Sequence, residues 1–230
     1  MKYRTVLFDL DGTLLDTNDL ILASFMYTLE HHCPGRYTEK DVLACMGEPL
    51  YEQMKRFGGE EQAEAMVKTY REHNIAHHDD YVQAFPGVIK TVRRLKEEGV
   101  TMGIVSNKQR VTVEMGLDLT GLTPFMSTVV CFGDTPAPKP DPAPVKLALD
   151  QLQAEPDSAL MVGDSKFDIL AAQAAGVDSA AVAWSLHADD SLRALSPDYV
   201  LDTMGDLLTV LDVGRQREGD SDEKNRTVSR

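Results

Sequence analysis

Near the start of the chain lies the stretch Thr5-Val6-Leu7-Phe8-Asp9-Leu10-Asp11-Gly12-Thr13. A short apolar run of strand length comes first, and two carboxylates follow where that run ends. At a separation of about 5 Å and an effective dielectric of about 20, two carboxylates repel by roughly 3 kcal/mol. A fold tolerates such repulsion when a cation, a shifted pKa or a phosphate-transfer role compensates for it. Gly12 permits a sharp turn, and Thr13 adds a hydroxyl and an amide beside the carboxylates.

Apolar runs of strand length recur along the chain, with helical periodicity between them. They occupy residues 4–8, 101–105, 128–132, 159–163 and 179–183. Gly99 and Gly176 are positioned to end two of the helices as C′ residues. This alternation predicts an α/β fold, a Rossmann-like parallel sheet with helices on both faces. Ligands in such folds bind at the carboxyl ends of the strands. Asp9, Ser106 and Asp164 each follow an apolar run directly, so we expect these three side chains to converge.

A helical insert is predicted to interrupt the alternation. Residues 16–86 contain consecutive segments of helical period, and the pair Thr38 and Asp41 is typical of a capping box that opens one of these helices. We therefore expect a catalytic core of residues 1–15 and 87–213 and a helical cap of residues 16–86. A helical insert that serves packing alone is the alternative. Residues 214–230 are almost free of apolar side chains and are predicted to be a disordered tail.

The composition excludes several classes of partner. Lysine and arginine number 23 against 37 aspartate and glutamate residues, a formal net charge of −14 in 230 residues. Nucleic acids and anionic membranes need a basic surface, so we expect neither as a main partner. The first predicted strand starts close to Met1, which predicts that there is no signal peptide. No apolar run approaches the length of a membrane span, so none is expected. Nothing in the sequence indicates an obligate protein partner.

The cysteines and histidines carry little functional signal. The cysteines are three in number and lack CxxC spacing, which indicates reduced thiols and a cytoplasmic location. His73, His77 and His78 lie close together in sequence, yet no His-Glu-x-x-His spacing is present. His31 and His32 lie at a predicted helix end, where the helix dipole explains them. We therefore do not expect histidine to bind a metal.

Four segments together resemble the motifs of the haloacid dehalogenase-like phosphatases. In chain order they are Asp9-Leu10-Asp11-Gly12-Thr13, Ser106-Asn107, Lys139-Pro140-Asp141-Pro142 and Gly163-Asp164-Ser165-Lys166-Phe167-Asp168. The resemblance covers roughly residues 3–212. Any one segment alone is a weak signal, but the set in this order and spacing is specific.

The resemblance implies a role for each matching residue. It makes Asp9 the nucleophile of an aspartyl-phosphate mechanism and Asp11 the general acid, later the base that activates water. Asp164 and Asp168, at positions i and i+4, are expected on one helix face, with Asp164 as a metal ligand and Asp168 as its support. Phosphate binding is expected from Thr13, Ser106, Asn107 and Lys139. Hard oxygen ligands favour Mg²⁺, held by the side chains of Asp9 and Asp164 and the backbone carbonyl of Asp11.

Further segments resemble the PpaX-type bacterial pyrophosphatases within that family. They are residues 17–21, 27–35, 47–51, 119–122, 182–184 and 196–199. This likeness implies hydrolysis of inorganic pyrophosphate, with a small anionic phosphate compound as the substrate in any case. Phosphoglycolate phosphatase is the main alternative. A sugar phosphomutase and a catalytically silent binding protein remain as further alternatives, while the intact set of Asp9, Asp11, Lys139 and Asp164 disfavours a binding protein.

Overall fold

The structure is a computed structural model that describes residues 2–45, 48–184 and 190–213. The predicted tail, residues 214–230, lies outside the described residues. The strands are β1 (Thr5–Phe8), β2 (Leu15–Asp16), β3 (Gln83–Ala84), β4 (Thr101–Val105), β5 (Thr128–Val130), β6 (Ala159–Gly163), β7 (Asp178–Val182) and β8 (Tyr199–Leu201). The helices are α1 (Asn18–His32), α2 (Glu39–Leu43), α3 (Leu50–Gly58), α4 (Glu60–Ala76), α5 (His78–Tyr81), α6 (Val88–Glu97), α7 (Arg110–Leu119), α8 (Ala143–Leu152), α9 (Lys166–Ala175), α10 (Asp190–Ala194) and α11 (Asp206–Val210).

The main sheet is parallel throughout the described part of the chain. Its six strands run in the order β5-β4-β1-β6-β7-β8, which places the first strand near the centre. Phe8, the last residue of β1, pairs with Ile104 of β4 and with Val162 of β6. The three strands therefore end at the same level, and the residues that follow them meet at one edge of the sheet.

Helices cover both faces of this sheet, as the alternating pattern predicted. Val6 and Phe8 pack on the face that carries α6, α7 and α11, whereas Leu7 packs on the face that carries α8 and α9. Successive residues of a strand point to opposite faces, so a strand buried on both sides must be apolar at every position. The fully buried run Val6-Leu7-Phe8 meets that requirement.

Most sequence-predicted elements are confirmed. Each of the five predicted runs forms a strand; the bounds of β4 and β6 agree with the prediction, and those of β1, β5 and β7 differ by one or two residues. Gly99 and Gly176 follow the ends of α6 and α9 with φ of +78° and +74°, values that suit glycine at a helix terminus. Strand β8 was not predicted. It forms the edge of the sheet beside β7, and its short, half-exposed Tyr199-Val200-Leu201 segment lacks a long apolar run.

The helices α1 to α5, residues 18–81, form what we call the helical block. The chain enters and leaves it through an antiparallel pair in which Leu15 of β2 faces Ala84 of β3. The block has its own apolar cluster, which includes Phe25, Met54 and Met66. At the start of α2 the predicted capping box is present, with the Thr38 backbone N–H donating to the Asp41 carboxylate at 2.7 Å.

Candidate active site

The two carboxylates of the opening motif lie at the carboxyl end of the central strand. Asp9 is 8% exposed, and its backbone N–H donates to the Val162 carbonyl of the neighbouring strand at 2.9 Å. Gly12 then turns the chain with φ of +74°. A Cβ atom on Gly12 would lie 2.1 Å from a carboxylate oxygen of Asp164. Glycine is therefore required here both for the backbone conformation and for the approach of Asp164 to the motif.

Three separate segments converge on this edge of the sheet, as the strand pattern predicted. Asp9, Ser106 and Asp164 follow β1, β4 and β6, and all three are buried and line one cavity. Their strands are direct neighbours in the sheet, with β1 in the middle. The convergence is a consequence of the parallel register, because adjacent parallel strands that end together bring their following residues together.

Lys139 reaches the same point from an irregular segment between β5 and α8. Its ammonium donates to Asp9 Oδ1 at 2.8 Å, to Asp168 Oδ1 at 2.6 Å and to the Val105 carbonyl at 2.6 Å. These three bonds use all the hydrogens of an ammonium group. The residue is 2% exposed, so this charge is held rigidly beside Asp9 and away from bulk water.

The placement of Asp164 and Asp168 corrects one sequence-based expectation. Helix α9 begins at Lys166, so Asp164 precedes the helix and does not share a helix face with Asp168. Ser165 is the N-cap residue, and Asp168 closes a capping box by accepting from the Ser165 backbone N–H at 3.0 Å and its hydroxyl at 2.6 Å. The Ser-x-x-Asp spacing was visible in the sequence, and it marks the helix start better than the i,i+4 pair does.

Burial and neighbouring charges shift the pKa values of Asp9 and Lys139. Burial raises the pKa of Asp9 to about 7, although the Lys139 ammonium opposes the rise. Burial alone would lower the pKa of Lys139, but the Asp168 and Asp9 carboxylates raise it above its usual value. One ammonium shared by two buried carboxylates cannot neutralise both of them. Lys139 therefore stays cationic, and negative charge remains in excess around it.

The three residues that follow β4 make different contacts. Ser106 lies at the cavity and accepts a hydrogen bond from the Lys108 backbone N–H at 3.2 Å. Asn107 also lines the cavity, and its carboxamide bonds the backbone of Lys139, with its oxygen accepting from Lys139 N–H and its nitrogen donating to the Lys139 carbonyl, both at 2.9 Å. Lys108 forms an ion pair with Asp11 at 2.9 Å and also lines the cavity. Sequence reasoning missed Lys108, since a lysine after a strand is usually solvated.

Thr13 occupies a different position from the other motif residues. Its side chain is fully buried, and it is not among the residues that line the cavity. The Thr13 carbonyl accepts a hydrogen bond from the Trp184 indole N–H at 3.3 Å. The described residues offer no hydrogen-bond partner to the Thr13 hydroxyl. The structure thus buries the threonine hydroxyl and does not place Thr13 in the cavity lining, and its expected contact with phosphate stays a prediction.

The cavity has a volume of about 240 Å³ and is lined from two sides. The edge of the sheet contributes the carboxylates and lysines described above. The helical block faces them with Glu48, Tyr70, Arg71 and Asn74. Burial raises the pKa of Tyr70, and the nearby Asp11 carboxylate raises it further, so the phenol is a neutral hydrogen-bond donor toward the cavity.

The donor set fits a hard divalent cation. Asp9, Asp164 and Asp168 each bring one carboxylate oxygen within 4.8 Å of the other two. Both oxygens of Asp168 are bonded, to Lys139 and to Ser165, and Asp168 does not line the cavity, whereas Asp9 and Asp164 do and are therefore the side chains suited to hold a metal. Four carboxylates, with Asp11 included, face the two ammonium groups of Lys139 and Lys108, which would leave an excess of two negative charges if every group were ionised, and a bound cation would offset that excess. All donors are oxygens, the ligand type that Mg²⁺ prefers.

Among the described residues, histidine and cysteine side chains do not contribute to this group of possible metal ligands. In the described part of the chain, the group of side chains able to hold a metal consists of aspartates and contains no histidine. Cys33, Cys45 and Cys131 are buried and free. Of the helices within the described ranges, none is long and apolar enough to cross a membrane.

Comparisons with known proteins agree with this site. A sequence model of the haloacid dehalogenase-like hydrolases matches residues 6–182. The pyrophosphatase PpaX of Bacillus velezensis is 46% identical over 212 residues, which cover 92% of this chain and 98% of that protein. The pyrophosphatase PpaX of Halalkalibacterium halodurans is 45% identical over 213 residues, with coverage of 93% and 99%.

A solved structure extends the likeness to three dimensions. The haloacid dehalogenase-like family hydrolase from Streptococcus pneumoniae matches with a TM-score of 0.83 at 25% identity, and the match covers 91% of this chain and 99% of that one. The residues matched by the family model, 6–182, include Asp9, Ser106, Lys139 and Asp164. The chain therefore belongs to the haloacid dehalogenase-like hydrolase family, and it is an enzyme.

Proposed function

We propose that this enzyme is a Mg²⁺-dependent phosphohydrolase that cleaves inorganic pyrophosphate to phosphate through a phosphorylated Asp9. The observation that carries the proposal is the buried Asp9–Lys139 pair at the base of a cavity faced by the helical block. Support for the substrate comes from the two PpaX pyrophosphatases, whose likeness extends over more than nine-tenths of this chain.

The first chemical step transfers a phosphoryl group to Asp9. A carboxylate oxygen of Asp9 attacks phosphorus, and the bond from phosphorus to the leaving oxygen breaks. Lys139 offsets the negative charge of the nucleophile and of the phosphoryl oxygens as a fixed point charge. The hydroxyl of Ser106, which lines the cavity, is placed to donate to a phosphoryl oxygen.

We assign the proton transfers of both steps to Asp11. In the first step its carboxylic acid form donates a proton to the leaving oxygen. In the second, its carboxylate accepts a proton from the water that attacks phosphorus, which frees Asp9 and releases phosphate. Lys108 pairs with the ionised Asp11 at 2.9 Å, so the carboxylate is oriented for its role as the base of the second step.

Mg²⁺ would be held by the side chains of Asp9 and Asp164, together with the backbone carbonyl of Asp11. When bound, it supplies a Lewis acid that offsets charge on the phosphoryl oxygens. Gly12 supports this assignment, because its missing Cβ lets Asp164 come close to the motif.

We assign residues 16–86 as the cap and residues 1–15 and 87–213 as the core. The antiparallel pair of Leu15 and Ala84, where the chain leaves and returns, supports this division. So does the separate apolar cluster of the helical block. A cap that covers the cavity would exclude water from the reacting phosphate.

Arg71 is the feature of the helical block that favours a substrate with two anionic groups. Lys55 pairs with Glu60 and Arg56 pairs with Glu48. Arg71 lines the cavity, and the described carboxylates include no ion-pair partner for it. A cation on the cap side is well placed for the second phosphate of pyrophosphate, while Glu48, also at the cavity, is neutralised by its arginine.

Phosphoglycolate is the runner-up substrate, since its carboxylate is also a second anionic group. A sugar phosphomutase would use the same Asp9 chemistry but release phosphate only slowly, and a binding protein would release none. We also propose a cytoplasmic location, which the three free thiols support.

A substrate panel tests the proposal. Pyrophosphate, phosphoglycolate and a hexose phosphate are compared at equal concentrations with Mg²⁺ present, and released phosphate is measured. We expect pyrophosphate to give the highest kcat/KM of the three. A phosphoglycolate value about ten-fold larger would overturn the pyrophosphatase assignment and leave a phosphatase. Absence of phosphate release from all three would overturn the phosphohydrolase proposal itself.

A further inference from the structure

The side chain of Asn107 is committed to Lys139 in both directions. Its carboxamide oxygen accepts from the Lys139 backbone N–H, and its nitrogen donates to the Lys139 carbonyl, each at 2.9 Å. A donor and an acceptor bonded on the backbone of one residue reproduce the pattern that joins two antiparallel strands of a sheet. Asn107 thereby attaches the backbone of Lys139 to the end of β4, across 32 residues of sequence.

The Lys139 backbone has no regular structure of its own to fix it. Residues 131–142 contain neither helix nor strand. A long side chain loses considerable entropy when it is held in one geometry, and an unfixed backbone would add to that loss. The ammonium nevertheless makes three short bonds, one of them to the carbonyl of Val105 at the end of the same strand β4. Lys139 is thus tied to β4 at its backbone by Asn107 and at its tip by Val105.

We propose that Asn107 is a positioning residue for Lys139, and that its contribution to the reaction passes through the placement of that ammonium. The inference deepens the proposed function and rests on it. It departs from the expectation that the Asn107 amide holds a phosphoryl oxygen directly. A shift of the lysine by about 1 Å can cost on the order of 100-fold in rate, so a residue that contacts no reacting atom still has a measurable effect.

A double-mutant cycle separates the two roles. The four proteins are wild type, Asn107→Ala, Lys139→Arg and the double variant, where arginine keeps the cation but changes its placement. Each is assayed for kcat and KM with the best substrate of the panel, and for inhibition by inorganic phosphate. Gln173→Ala is the matched control, because that amide also donates to a backbone carbonyl, Leu195, at 2.8 Å but lies on an exposed part of α9.

We expect Asn107→Ala to lower kcat by about ten-fold to about 100-fold with KM changed by less than about three-fold. In the Lys139→Arg background the same substitution should add less than about two-fold, because the lysine through which it acts is already changed. The control should behave as wild type. The inference would be overturned if the losses in kcat multiplied in the double variant. It would also be overturned if Asn107→Ala raised KM and weakened inhibition by phosphate at unchanged kcat, since the amide would then bind the phosphate directly.

A crystal structure of Asn107→Ala provides a readout that needs no activity. We expect the Lys139 ammonium to lie beyond hydrogen-bonding distance of Asp9, more than about 3.2 Å. An unmoved ammonium would contradict the inference even if the rate falls. Should the alanine variant not fold, Asn107→Asp, which keeps the acceptor and loses the donor, takes its place in both experiments. If the panel finds no phosphatase activity, the proposed function fails while this structural test still decides the role of Asn107.

Discussion

The ammonium of Lys139 lies 2.6 Å from the carboxylate of Asp168, and the Asp168 side chain is completely buried there. The other oxygen of Asp168 accepts hydrogen bonds from Ser165. Asp168 is not among the residues that line the cavity. It fixes the cation that faces Asp9, and it is itself fixed by the N-cap of α9. The start of that helix therefore supports the cation beside Asp9, although Asp168 itself does not line the cavity.

Replacing Asp168 should affect stability and rate together. Asp168→Asn removes a charged hydrogen-bond partner from Lys139 but leaves Asp9 to offset the ammonium. We expect the free energy of unfolding to fall by about 1.5–3 kcal/mol, the range for a bond to a charged group. A substitution that left a buried charge with no partner would lower the free energy of unfolding by more, about 3–5 kcal/mol. We also expect a lower kcat, because the lysine gains freedom to leave Asp9. Urea unfolding and steady-state kinetics measure the two effects.

The control for this experiment is an exposed ion pair. Lys55 and Glu60 are joined at 2.9 Å on the surface of the helical block. Glu60→Gln should change the free energy of unfolding by less than about 1 kcal/mol. Equal losses for Asp168→Asn and Glu60→Gln would contradict the structural role assigned to the buried pair.

Removal of the metal should abolish turnover. We expect excess chelator to stop phosphate release and Asp164→Ala to come close to the same result, because the remaining carboxylates repel an incoming anion. Ca²⁺ should support binding but poor catalysis, since its larger and looser shell misplaces the reacting groups. Asp150→Ala, on the exposed face of α8, is the control and should keep its activity. Full activity in excess chelator would refute the metal site.

Arg71 should distinguish substrates by their second anionic group. We expect Arg71→Gln to lower kcat/KM for pyrophosphate by about ten-fold or more, the value of roughly one charge-assisted hydrogen bond. The loss for p-nitrophenyl phosphate, which has no second anion, should stay below about three-fold. Lys68→Gln, a more exposed cation on the same helix α4, is the control. If Arg71→Gln lowered kcat/KM equally for both substrates, the arginine would not bind the second anionic group.

Far from the cavity, Asp178 should make stability depend on pH. Hydrogen bonds from Lys2 and Tyr3, each at 2.6 Å, hold the pKa of this carboxyl below its usual range. The folded state thus favours the ionised form, and the added stability is present above the unfolded pKa of about 3.9. It is lost as pH falls through the lower folded value.

Urea unfolding at several pH values checks this expectation. Asp178→Asn should be less stable than wild type at pH 7, and the difference should shrink as pH falls below about 4. Asp157→Asn, at an exposed position, is the control. A difference between Asp178→Asn and wild type that stays constant down to the lowest pH would rule out the linkage.

The parts of the site that follow strands could be predicted from sequence. Asp9, Ser106 and Asp164 each come after an apolar run, and parallel strands that end together bring such residues into contact. The position of the metal-type carboxylates at one edge of the sheet thus required only the periodicity. The helix stops at Gly99 and Gly176 were predictable for an equally local reason, the freedom of glycine at a helix end.

The contacts made across long stretches of chain could not be predicted in this way. Lys139 lies in an irregular segment, so no periodicity fixes where its ammonium goes. The Asn107–Lys139 and Lys108–Asp11 contacts span 32 and 97 residues. Side-chain direction was a further obstacle, since the Thr13 hydroxyl belongs to the opening motif and yet points into the protein interior. These contacts depend on tertiary packing, which a local pattern does not encode.

The two carboxylates of the opening motif should differ in what their loss removes. Asp9→Asn should stop the reaction, because an amide cannot form the acyl phosphate. Asp11→Asn should slow protonation of the leaving group and activation of water by about 10²–10⁴-fold, and so leave a residual rate. The loss should be smaller for pyrophosphate than for an alkyl phosphate, because phosphate is the better leaving group. Steady-state assays of both variants with both substrates measure these differences.

The most direct measurement is the trapping of the phosphorylated enzyme. Asp11→Asn is mixed with pyrophosphate and Mg²⁺, quenched in acid, digested and analysed by mass spectrometry. We expect one phosphoryl group on the peptide that contains Asp9, and none when Asp9→Asn is treated identically. A phosphoryl group on any other residue, or equal residual rates of the two variants, would contradict the assignment of Asp9 as the nucleophile.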